Sequence, residues 1–116
     1  MQNRYSLLYR EEEREMIAYC KFAGIGLLPF SVLSYGLLAR APSESTVRGE
    51  SYKGSQLAHK LEHWGQEIVA RVEKLAKEKG WTMSQVALAW ANDKATSPLV
   101  GISSVSLPWA SLPDCS

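Results

Sequence analysis

His59-Lys-Leu-Glu-His63 sets two imidazoles one helical turn apart, with a carboxylate beside the second. That is the H-x-x-E-H order with which some zinc peptidases hold their metal. No third ligand is marked, and three fixed positions in five match often by chance. The pair is read as solvated histidines at a helix start, and no metal site is assigned. Glu11, Glu12 and Glu13 offer paired carboxylates for acid–base work, yet a charge run at a helix start is ordinarily a solvated face that offsets the helix dipole. Cys20 falls on an apolar helix face and reads as a small core residue rather than a nucleophile. Gly24-Ile-Gly26 lacks the third glycine of a dinucleotide fingerprint and precedes its strand instead of following it. More informative is Phe30-Ser-Val-Leu-Ser-Tyr-Gly-Leu-Leu38, an aromatic, a hydroxyl and a glycine directly after an apolar run. α/β folds put their ligands at that end of a parallel sheet, where a ring can stack on a planar group and a small-residue loop can offer N–H groups to phosphate. A capping loop with Phe30 in the core is the equal alternative.

The elements that must position these residues follow from periodicity. Tyr5 to Tyr9 is a short apolar stretch with strand character. Arg10 to Phe22 is predicted as a helix, with Met16, Ile17 and Cys20 on one face and Gly24 as its stop. Ile25 to about Phe30 is an uninterrupted apolar run, as in a strand buried on both faces, although Pro29 removes one ladder donor. Residues 39 to 57 are polar, turn-rich and aperiodic. Leu61 to Lys79 places Ile68, Val72, Leu75 and Ala76 on one helical face, closed by Gly80. Gln85 to Asn92 is a second helix with Val86, Ala89 and Trp90 inward and Thr82 or Ser84 as N-cap. Pro98 to Ser103 reads as another short strand. Strand, helix, strand, helices, strand is the order of parallel βαβ units.

The composition fits one soluble domain. The chain has 116 residues, 46% of them hydrophobic and 22% charged, and 13 Lys+Arg against 12 Asp+Glu give a formal charge of +1. This is no electrostatic footprint for nucleic acid or an anionic membrane. Cys20 and Cys115 have no metal-type spacing and read as free thiols of a reducing compartment, with a single disulfide left open. The opening residues have no signal-peptide pattern, and Gly24, Gly26, Pro29 and Gly36 break the least charged stretch, so the expected location is cytoplasmic.

Four stretches carry a resemblance. Gln2-Asn-Arg-Tyr-Ser-Leu-Leu-Tyr-Arg-Glu-Glu-Glu13, Gly24-Ile-Gly-Leu-Leu-Pro-Phe-Ser-Val-Leu-Ser-Tyr-Gly-Leu-Leu38, Ser84-Gln-Val-Ala-Leu-Ala-Trp90 and Pro98-Leu-Val-Gly101 resemble, in order and in register, landmarks of the aldo-keto reductases. The flavour is that of the fungal and bacterial branch related to aryl-alcohol dehydrogenases. The resemblance implies an α/β fold, the C-terminal part of a (β/α)8 TIM barrel, with about three parallel strands and their crossover helices and the barrel incomplete. It implies NADP(H) as cofactor and carbonyl reduction by hydride transfer. By the same likeness Gln2 matches the glutamine that bonds the nicotinamide carboxamide, and Phe30 the aromatic that stacks on the nicotinamide ring. Ser31, Leu33 and Gly36 match the loop that contacts the pyrophosphate, with Val32 where a proline is usual. Gly101, Ser103 and Ser104 match the cradle of the adenosine 2′-phosphate, with Ser104 where the family has a cation.

Nothing in the chain matches the family's catalytic Asp, Tyr, Lys and His, so no catalytic residue is assigned and the chain alone is expected to be inactive. Residues 1–105 are read as a partial reductase domain and residues 106–116 as an irregular tail. The expected partners are NADPH and a carbonyl substrate, without nucleic acid or membrane. The alternatives from other classes are an interaction protein that associates through open sheet edges, and a small nucleotide-binding module built on Phe30 and Ser31.

Overall fold

The structure, a computed structural model, describes residues 1–41 and 63–101. Three helices organise these residues: α1 (Met16–Phe22), α2 (His63–Lys79) and α3 (Met83–Lys94). Single 3-10 turns lie at Glu11–Glu13 and Ser34–Gly36.

The helix ends follow from local chemistry. After α1, Ile25 N–H donates to the Cys20 carbonyl and Gly24 N–H to that of Lys21, with Gly24 at φ +67°. After α2 the same paired closure recurs, Trp81 to Ala76 and Gly80 to Lys77, with Gly80 at φ +67°. Both are Schellman closures, for which a residue without Cβ is the low-strain choice. Thr82 caps α3: its side chain accepts from Gln85 N–H, and the Gln85 side chain accepts from Thr82 N–H. That reciprocal box settles the choice between Thr82 and Ser84.

The helix predicted from Arg10 is interrupted. Residues 11–13 form a separate 3-10 turn and α1 begins only at Met16, after Glu15 leaves helical geometry at φ −140°. The cause is the bidentate grip of Arg10 on the Glu13 carboxylate, both contacts at 2.8 Å, which suits the i, i+3 eclipse of a 3-10 turn.

The three expected strands are corrected. No continuous strand forms among the described residues; the sheet is reduced to one parallel bridge, Arg4 to Phe30, and a tight antiparallel bridge, Ser6 to Tyr9. Extended segments still run side by side. Phe30 N–H donates to Asn3 and Tyr5 N–H to Phe30, Leu28 N–H to Met1, and Leu99 N–H to Pro29. The ladder fails where its donors or acceptors are missing. Pro29 has no N–H to return the bond from Leu99. Leu27 N–H goes to the Thr96 hydroxyl at 2.9 Å, where a ladder needs a backbone carbonyl.

The helices pack on one side of these segments. Leu38, Val69, Val72, Ala76, Met83, Val86 and Ala87 form the core between α2, α3 and the chain near residue 38. Tyr5, Ile17, Cys20 and Leu27 seat α1 against the extended segments, and Val32, Leu88 and Ala91 form a third cluster, with Trp90 against both. The buried arc of α3 is therefore wider than Val86, Ala89 and Trp90, because it faces α2 on one side and the segments on the other. On α2, Val69 is buried and Leu75 is 39% exposed, a rotation of the expected face. Cys20 is buried at 1% exposure with a free thiol, as its face placement predicts. The segment 42–57, the histidine pair 59–63 as a motif, Ser103, Ser104, Cys115 and the 106–116 tail lie outside the described residues.

Candidate functional site

Alternation along the extended chain divides its side chains between two faces. Leu27 and Pro29 turn toward the helices and are buried, whereas Leu28 and Phe30 are each 40% exposed. Phe30 belongs to none of the buried core clusters, so the capping-core alternative for this ring does not hold. Gln2 is exposed on the neighbouring segment, one step from the Leu28–Met1 and Phe30–Asn3 bonds that set the register. Gln2 and Phe30 are thus brought to adjacent segments.

The chain then enters a loop held in unusual geometry. Ser31 (φ 55°), Ser34 (φ 46°), Tyr35 (φ 58°) and Gly36 (φ 95°) all lie in the left-handed region. For residues other than glycine that costs of order 1 kcal/mol each and persists only where the surroundings enforce it. The enforcement is visible. Ser34 Oγ and Ser6 Oγ are 2.8 Å apart in a fully buried pair, and Ser6 Oγ also accepts from Leu8 N–H. This pair locks the loop after one segment to the turn after the other. The loop's backbone bonds are donated by Ser34, Gly36, Leu37, Leu38 and Ala39. The N–H groups of Ser31, Val32 and Leu33 are not among the donors in that network. The Leu33 side chain packs into the helical core, so only its backbone faces the site. Gly101 is exposed at the edge of the described residues, and Ser103 and Ser104 lie outside them.

The sequence profile of the Aldo/keto reductase family matches residues 1–109. The chain belongs to that family. It is 46% identical over 107 residues to an aldo-keto reductase of Fusarium vanettenii, with 90% of this chain and 29% of that protein covered. It is 46% identical over 109 residues to a putative aryl-alcohol dehydrogenase of Schizosaccharomyces pombe, covering 90% of this chain and 33% of that protein. A versiconal hemiacetal acetate reductase of Aspergillus parasiticus is 42% identical over 106 residues, 88% of this chain and 31% of its own length. This aldo/keto reductase chain therefore spans about a third of the length of the relatives it matches.

Some groups near the site are not singled out by residue type. Arg4 shares the face of Gln2, two residues on, and its guanidinium carbon lies 4.7 Å from the Tyr9 ring centre and 5.6 Å from that of Tyr35. The signal that could have found it is the period of two, which puts residues 2 and 4 on one face. On the opposite face, Tyr5 O–H donates to Glu13 Oε1, and the Tyr5 ring lies 4.9 Å from that of Trp90. The Arg10 guanidinium beside Glu13 holds its carboxyl below the usual range, helped by the Tyr5 hydrogen bond and the charge of Lys94. Burial, followed by the Glu13 bond and charge, pushes the Tyr5 hydroxyl well up. Glu13 is consequently not the freely solvated dipole-compensating acid expected of its run. Tyr5 is buried at 3% exposure and packs away from the Gln2 face. No group of His, Cys, Asp and Glu among them is arranged to hold a metal ion. No helix among them is long and apolar enough to cross a membrane.

Proposed function

We propose that this chain is the cofactor-side part of an NADP(H)-dependent oxidoreductase of the carbonyl-reducing kind, which binds a nicotinamide dinucleotide but does not turn over alone. One observation carries the reading: Gln2 and Phe30 stand on adjacent extended segments, both exposed, with the left-handed loop 31–36 directly following. The residues present suit a dinucleotide. An exposed aromatic supplies a stacking face, the Gln2 amide supplies both donor and acceptor for a carboxamide, and backbone N–H groups of a small-residue loop suit anionic oxygens. In this reading Ser31, Leu33 and Gly36 serve the pyrophosphate, and Gly101, Ser103 and Ser104 the adenosine end. Ser104 stands where a cation would make the charge-assisted contact to a 2′-phosphate, so discrimination between NADPH and NADH is weak. When bound, the nicotinamide supplies the hydride; the chain's own residues orient it and provide no acid to protonate a carbonyl oxygen. The reading assigns the chain to the cytoplasm, supported by the balanced charge and the free, buried Cys20.

The test is NADPH titration of the full chain by calorimetry, with an aromatic-aldehyde reduction assay alongside. Saturable binding and no turnover are expected. Turnover by the chain alone would sink the inactive half of the reading, and no binding up to millimolar NADPH would sink the other half. A second reading, association through the open face with another copy, is supported by the exposed Ile25, Leu28, Leu99 and Val100.

A further inference from the structure

Arg4 is a cation with no counter-ion among the described residues. Among the described residues no carboxylate lies within ion-pair distance of it, and its Nε is buried with no hydrogen-bond partner. Leaving a buried charged donor unpaired is costly, and such groups are few in folded proteins. The rings of Tyr9 and Tyr35 attract the positive charge through their faces. They also fix where the planar group sits. Tyr9 is tied by reciprocal backbone bonds to Ser6, both at 3.1 Å, and Tyr35 sits in the left-handed stretch that the Ser6–Ser34 pair locks. A guanidinium held over aromatic rings keeps its hydrogen-bonding fork preorganised for a planar or tetrahedral oxyanion. Arg4 also pairs with Phe30 through the parallel bridge, which places it beside the start of the 31–36 loop.

We propose that Arg4, held over the rings of Tyr9 and Tyr35, is an oxyanion-binding residue of this site, taking a phosphate- or carboxylate-bearing ligand. The identity of the anion rests on the dinucleotide reading; the site itself does not. The anion is either the diphosphate of the cofactor or a carboxylate on the substrate.

The experiment titrates the full chain, at low salt, with inorganic pyrophosphate, NADPH and benzoate in separate calorimetric runs. Arg4→Met and Arg4→Lys follow, with circular dichroism as the check on folding. Losing a charge-assisted contact weakens binding by about tenfold or more, so Arg4→Met reduces affinity to that extent and Arg4→Lys retains part of it. The Arg4 Nε–H resonance of the unaltered chain is followed in the same titrations, which keeps the test valid if Arg4→Met unfolds. A saturable shift supports the site. Arg4-dependent binding of pyrophosphate and NADPH assigns the anion to the diphosphate; Arg4-dependent binding of benzoate assigns it to a substrate carboxylate. NADPH binding that is unchanged in Arg4→Met, with an unmoved Nε–H resonance, overturns the proposal and leaves the dinucleotide reading standing. Arg4-dependent pyrophosphate or benzoate binding without any NADPH binding does the reverse. Absence of any anion binding overturns the proposal.

Discussion

Glu13 joins three parts of the molecule with one carboxylate: Arg10 through two hydrogen bonds, the Tyr5 hydroxyl through a third, and the Lys94 charge. Its folded pKa lies below its unfolded value, so the unfolded chain binds the extra proton first as acid is added. Its contribution to stability is present above the unfolded pKa and is lost as pH falls below 4.5 and through the folded pKa. Tyr5 acts at the other end of the scale. Its folded pKa is raised, so its contribution is complete below the unfolded value and declines as pH rises above 10.0. Urea midpoints measured from pH 3 to 11 should therefore fall on both sides, and Glu13→Gln should flatten the acid limb while Tyr5→Phe flattens the alkaline one. An acid limb of equal slope in Glu13→Gln would show that other carboxylates govern it. The buried Ser6–Ser34 pair makes a separate prediction. Ser6→Ala leaves the Ser34 hydroxyl buried without its partner and costs about 1–3 kcal/mol, whereas Ser6→Ala with Ser34→Ala recovers part of that loss. A double-mutant cycle in urea reads the coupling, and strictly additive losses would mean the hydroxyls do not lock the loop.

Among the elements, the helices were legible in the sequence and the strands were not. α2 and α3 are set by period, glycine stops and a capping box, all local signals that tertiary context leaves alone. Thr82→Ala removes that box and should lower stability by about 1 kcal/mol, while Ser84→Ala, one turn position inside, should change it by less than about 0.5 kcal/mol. Equal losses would show that the cap does not hold α3. Strand formation depends on partners that no local pattern contains. Pro29 was visible as a missing donor, but the Thr96 hydroxyl capturing Leu27 N–H is a contact between residues far apart in sequence. The break at Glu15 was hidden for a similar reason, since an acidic run reads as helix start whether or not its third member is drawn to Tyr5 and Arg10. At the candidate site, Gln2 and Phe30 were legible through resemblance. The left-handed serines were not, because Ser31 and Ser34 carry no residue-type signal for positive φ.

At the scale of the whole molecule, helices cover one side of the extended segments, the other side carries Leu28 and Phe30, and Leu99 and Val100 are exposed as well, each of the four at 40–42%. Phe22 at the end of α1 is 91% exposed and Ile25 beyond it 42%. Such a surface loses free energy to water at roughly 25 cal/mol per Å² of apolar area, which a second copy can recover. Sedimentation velocity on the purified chain should accordingly show a weight-average mass that rises with concentration. Phe22→Lys together with Leu28→Lys should suppress the rise. Neither side chain belongs to a buried core cluster, so the unfolding free energy of the double variant from urea titration should stay within about 0.5 kcal/mol of the parent. The arrangement also predicts competition: Phe30 and Gln2 lie on the same face, so saturating NADPH should lower the apparent association constant if the dinucleotide occupies it. An association that is independent of NADPH, with NADPH bound, would place the self-contact on the α1 end around Phe22 instead of the open face, and Phe22→Lys alone would then abolish it.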